Sequence, residues 1–148
     1  MSLNAKIKKT IGLGAATVAL TADQSGSVQL FDTAVEAFTL PEITQLTIGM
    51  TFEFKTTVAS STAQSVTAGA AADLYIGGVR IWDDTAAYTA PQAVVLKADV
   101  SNDIILTMNG TTTGGKIGSS VKFTAVSATR WFVEGDLFGS GVIATPFS

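Results

Sequence analysis

Across 148 residues the chain carries only 14% charged residues, a net charge of −3, and neither histidine nor cysteine. That excludes disulfide frameworks and thiol or imidazole chemistry, and it leaves the redox compartment unreadable. Lys6, Lys8 and Lys9 supply three of the nine basic residues, so the rest of the chain sets six against twelve acidic ones, a balance that argues against nucleic-acid binding.

The length fits one domain able to bury roughly two thirds of its unfolded surface. Charge well under the roughly 25% of soluble domains leaves a surface of mainly Thr, Ser, Ala and Gly. Such a surface suits a protein that covers itself with its own copies or docks on a larger body. The alternative is an ordinary β domain with a bland Thr-rich exterior. The basic start is either an arm for an acidic partner or a solvated tail.

Ile11–Leu20, after the three lysines, has some look of a signal peptide. It carries two glycines and runs into Thr21-Ala22-Asp23 without a cleavage site, so it reads better as a first strand. No apolar run reaches the ~18–20 residues that span a bilayer. Apolar residues then alternate at Val18 and Leu20, Val28 and Leu30, and Phe38 and Leu40. Turn chemistry at Ala22–Gly26 and Asp32–Ala34 separates them, and Pro41 ends the third. From Leu46 to Lys55 the alternation is strict, with Leu46, Ile48, Met50, Phe52 and Phe54 on one face. Thr56–Ala72 holds either a short strand around Gln64–Thr67 or an exposed excursion. Ala72–Ile76 stops at Gly77-Gly78, and Val79–Trp82 resumes and stops at Asp83-Asp84. Pro91–Ala98 is open between a helical turn, favoured by the proline, and a strand, favoured by Val94-Val95. Ile104–Met108 ends at Asn109-Gly110, and Val121–Ala125 with Trp131–Val133 forms a hairpin pattern. About ten short strands without intervening helices predict an all-β, single-domain antiparallel sandwich or barrel with terminal arms. The boundaries are 1–16 for a basic N-terminal arm, 17–138 for the β domain and 139–148 for a C-terminal arm.

Catalytic parts are scarce. Without His or Cys, carboxylates lead the acid–base candidates. Asp83 and Asp84 point to opposite faces if they lie on a strand. Asp99 and Asp103, flanking Asn102, lack the further oxygens of a Ca²⁺ loop. Gly12-x-Gly14 and Gly139-x-Gly141 lack the strand–turn–helix setting of a phosphate cradle. No enzyme activity, cofactor, metal or small-molecule substrate is therefore expected. Trp82, Trp131, Phe132 and Phe138 fit a sugar-stacking platform or, more commonly for strand aromatics, a core.

Five segments, taken in order, resemble a family of small tailed-phage virion proteins of the head decoration (cement) type. They are Ala22–Gly26, Phe38–Pro41, Gly49–Phe54, Gly118–Phe123 and Arg130–Gly135. Each is weak alone; order and spacing carry the likeness over most of residues 20–136. The resemblance implies a non-enzymatic protein on the outer surface of the capsid, binding and stabilising the assembled shell through the major capsid protein, often as a trimer. It supplies no catalytic residues. Related modules occur in tail and fibre proteins, so the alternative is a tail or fibre module recognising a host surface or glycan, which Trp82 or Tyr88 in a groove would favour.

Both end segments carry apolar residues that a free tail would not need. The expected interface set is accordingly Lys6, Lys8, Lys9, Ile11 and Leu13 at one end and Val142, Ile143 and Phe147 at the other. In a homotrimer, Ser2–Leu13 or Gly141–Phe147 would reach onto a neighbouring subunit and hide strand edges. No nucleic acid and no membrane enter this scheme.

Overall fold

A computed structural model describes residues 17–84 and 92–148. The strands are β1 (Thr17–Ala19), β2 (Ser27–Phe31), β3 (Glu36–Thr39), β4 (Thr51–Thr56), β5 (Gln64–Thr67), β6 (Leu74–Asp83), β7 (Gln92–Lys97), β8 (Ile105–Met108), β9 (Ser120–Ser127) and β10 (Arg130–Gly139). They form a four-stranded sheet, β1-β3-β5-β8, facing a six-stranded sheet, β2-β4-β9-β10-β6-β7. The all-β sandwich expectation holds, and the sheets do not close into a barrel.

The expected antiparallel character needs correction. Four of the eight described strand pairings are parallel: β1 with β3, β3 with β5, β2 with β4 and β6 with β10. The chain passes from one sheet to the other at every step from β1 to β6. Parallel neighbours ordinarily need a long crossover, commonly a helix. In three of the four pairs a single strand of the facing sheet serves as that crossover, and β6 reaches β10 through β7, β8 and β9. The β9–β10 hairpin then fills the gap between β4 and β6, antiparallel to β4 and parallel to β6.

Aromatic rings fill the space between the sheets. Phe54 of β4 lies 5.8 Å from Phe31, 5.2 Å from Phe38 and 5.6 Å from Phe123, and Phe123 lies 5.2 Å from Tyr75. Trp131 packs on Phe52. The Tyr75 hydroxyl donates to the Val66 carbonyl at 3.0 Å, joining the six-stranded sheet to the four-stranded one.

Several boundaries differ from expectation. The strand read over 46–55 begins only at Thr51, because a turn held by Thr44 and Thr47 precedes it and Gly49 has φ +96°. Leu46 is therefore 97% exposed. In β2 the buried positions are Ser27, Gln29 and Phe31, so Val28 and Leu30 turn to the outer face. Gly77 and Gly78 do not break a strand but lie inside the ten-residue β6. Pro91 lies outside the described residues, and Gln92–Lys97 is a strand, as its β-branched pair favours.

The C-terminal segment packs on its own chain. After β10 the Ser140 and Ala144 amides donate to the Thr111 and Thr112 carbonyls, and residues 146–148 then run along the free edge of β8 of the same chain. Ile104 and Ile105 amides donate to the Ser148 carbonyl at 2.9 and 2.8 Å, and the Thr107 amide donates to that of Pro146 at 2.8 Å. Phe147 joins the core at 6% exposure because it bridges to Leu106. Phe147→Ala should therefore cost about 3 kcal/mol, the low end for a buried Phe. Val142→Ala, at an 87% exposed position, should stay within about 0.5 kcal/mol. Urea unfolding of the two variants measures both.

Candidate functional site

The expected interface residues do not come together as one set. Lys6, Lys8, Lys9, Ile11 and Leu13 lie outside the described residues, as does Tyr88. Phe147 is core, Ile143 packs against the core, and Val142 stands out into solvent. Of the four aromatics, Trp131 is buried, Phe132 and Phe138 are exposed on the outer face of β10, and Trp82 is half-buried on the outer face of β6. Asp84 pairs with Lys116. Asp103 is buried and accepts the Asp99 amide, while Asp99 accepts from Ser101 and is held below the usual carboxylate range by those bonds. No group of three or more His, Cys, Asp or Glu residues among the described residues could hold a metal ion.

The two outward surfaces differ in chemistry. On the four-stranded sheet, register places Thr17, Ala37, Ser65 and Thr107 in one row and Ala19, Thr39, Thr67 and Ile105 in the next. None of those positions is charged. On the six-stranded sheet, one row runs Val28, Glu53, Lys122, Glu134, Gly78, Lys97, and the next runs Leu30, Lys55, Ser120, Asp136, Arg80, Val95. Charges of both signs alternate there, and Glu53 with Lys55 forms an ion pair at 3.2 Å.

Gly78 lacks a side chain in the middle of that second surface, and a hollow of about 370 Å³ opens above it. Arg80 and Val95 line one side, Glu134 and Asp136 the other. The β6–β10 register brings Arg80 beside Asp136. The Asp136 carboxylate is fixed through one oxygen: Oδ1 accepts the Trp82 indole N–H at 2.9 Å and an Arg80 guanidinium N–H at 3.4 Å. Arg80 also lies 5.6 Å from the Trp82 ring centre, within cation–π range. Trp82 was legible as a candidate; Arg80, Glu134 and Asp136 were not, although alternation puts all three on wet faces.

Comparison with known families, curated proteins and solved structures finds no match.

Glu36 is a titratable group in the core rather than on either face. It is 1% exposed, its Oε2 accepts the Asp32 amide at 3.1 Å, and its Oε1 has no hydrogen-bond partner among the described residues. Beside it across the β3–β5 pair, Gln64 donates to the Thr33 and Val58 carbonyls while its own Oε1 is unsatisfied. Burial, aided by the nearby Asp32 carboxylate, pushes the Glu36 carboxyl above its ordinary range despite the backbone bonds. A carboxyl raised in the folded state costs nothing below its unfolded value, where both states are protonated. It destabilises progressively as pH rises through the folded value. Glu36→Gln should thus raise the melting temperature at pH 7 and leave it nearly unchanged near pH 4. Each kcal/mol regained is worth about 2–4 °C at this chain size. Equal shifts at both pH values would reject the assignment.

Proposed function

We propose that the chain is a non-enzymatic structural protein of a tailed-phage virion that binds and stabilises the assembled head shell from outside, with the major capsid protein as partner. One observation carries most weight: the five family-like segments converge in space. Gly49–Phe54, Gly118–Phe123 and Arg130–Gly135 lead into or form β4, β9 and β10, which are hydrogen-bonded neighbours. The Ala22–Gly26 turn ties to the start of β4, since the Thr51 amide donates to Ser25 Oγ and the Gly26 amide to the Thr51 carbonyl. Phe38 packs on Phe54. Segments that build one contiguous core support a common fold better than scattered matches do. The absence of His and Cys from the sequence fits a binding rather than a catalytic role.

The uncharged Thr, Ser and Ala rows of the four-stranded sheet are the face for shell or subunit contact, since interface cores are depleted in charge. In this reading the protein is a homotrimer, with the N-terminal segment as the arm left to reach a neighbour. Purified protein added to capsids lacking it should bind saturably and in fixed stoichiometry. Binding to isolated tails and not to heads would move the assignment to a tail or fibre module. Light scattering at micromolar concentration checks the trimer: a mass that stays near 15 kDa as concentration rises would overturn it.

A further inference from the structure

We infer that the hollow over Gly78 on the outer face of the six-stranded sheet is a binding site for a neutral, hydroxyl-rich saccharide. This goes beyond shell binding and does not rest on it, because the shell reading uses the opposite, uncharged face.

The site is preorganised. Two donors hold Asp136 through Oδ1 and leave Oδ2 to accept a ligand hydroxyl. Glu134, two residues earlier on the same wet face, forms no ion pair within the described residues and offers two further acceptors. The two carboxylates are rooted about 7 Å apart along the strand, roughly the span of one pyranose ring with its substituents. Arg80 supplies donors, and Val95, 68% exposed, supplies an apolar wall for the C–H face of a ring. A hollow of about 370 Å³ takes one such residue of a chain and leaves its neighbours in solvent.

Charge decides the ligand class. Glu134 and Asp136 face Arg80 across the hollow, and Lys122 and Lys97 flank Glu134 in its row, one on the adjoining strand and one beyond Gly78. With charges of both signs interleaved around the hollow, neither an anionic nor a cationic ligand meets a field of one sign, whereas hydroxyls find both acceptors and donors. The carboxylates stand side by side on one exposed strand rather than facing each other across a cleft, which fits holding a sugar rather than cleaving one.

The test uses the full-length protein on an array of neutral and anionic glycans, followed by an NMR titration of backbone amides with the strongest neutral ligand. Neutral pyranose glycans should bind saturably, with shifts centred on Gly78, Arg80, Val95 and Glu134. Glu134→Gln should weaken binding about tenfold by removing a charged acceptor. Val95→Arg should abolish it by filling the hollow from an exposed position. Circular dichroism and melting should show both variants folded. No signal from any neutral pyranose, a preference for anionic glycans, shifts centred elsewhere, or unchanged affinity in both folded variants would each overturn the assignment.

Discussion

Replacing Phe54 by alanine should remove about 3–5 kcal/mol of stability, enough to leave a domain of ordinary stability close to unfolding. Phe54 is 1% exposed and is the ring on which both sheets meet. It touches Phe31 and Phe123 within its own sheet and Phe38 in the facing one. Truncation leaves a cavity that rigid neighbouring rings cannot collapse into, and it forfeits three aromatic contacts worth about 0.5–1.5 kcal/mol each beyond their burial. Urea unfolding should show a lower midpoint with an unchanged slope. Phe138→Ala, on the outer face at 37% exposure, should cost under about 1 kcal/mol. Similar losses at the two sites would mean that Phe54 does not pin the sheets.

Gly77→Ala should cost roughly 2–4 kcal/mol for two separable reasons. Its φ of +91° is a conformation that side-chain-bearing residues resist, and a Cβ there would lie 2.4 Å from the Val133 carbonyl oxygen in β10. Relief requires the long parallel β6–β10 ladder to part. Gly26 provides the control, because its φ is +80° but a Cβ would meet nothing within 4 Å. Gly26→Ala should therefore show the backbone term alone, about 1 kcal/mol. The difference between the two variants, read from the same unfolding curves, isolates the collision; equal losses would reject it.

Much of the strand content was legible because one face is dry. Met50, Phe52 and Phe54 alternate with polar neighbours, and the β9–β10 hairpin announces itself by two such runs around a short polar break. Where the reading failed, a competing force was at work. Leu46 and Ile48 extend the alternation into a turn that Thr44, Thr47 and Gly49 impose through local hydrogen bonds and positive φ. Val28 and Leu30 face outward because the inner side of β2 joins a buried polar group with Ser27, Gln29 and their neighbours, which hydropathy alone scores as surface. Gly77-Gly78 looks like punctuation, yet close approach of the adjoining strands demands glycine there. The hollow was invisible for another reason. Arg80 and Asp136 are 56 residues apart in the chain, and only the parallel β6–β10 register, which no local pattern encodes, makes them neighbours.

The winding of the chain between the sheets also sets an order of events in time. When β6 and β7 have been made, the larger sheet exists only as two separate strips, β2-β4 and β6-β7, with facing edges that nothing yet joins. The piece that joins them, residues 120–139, is synthesised after all four of those strands. The domain must therefore wait for nearly its whole length before its core can close, and its pairings link residues far apart along the chain. Such topologies fold in milliseconds to seconds rather than microseconds. Until the hairpin arrives, two sticky strand edges stand open at once, and crowded synthesis of many copies is the moment at which this protein is most exposed to aggregation.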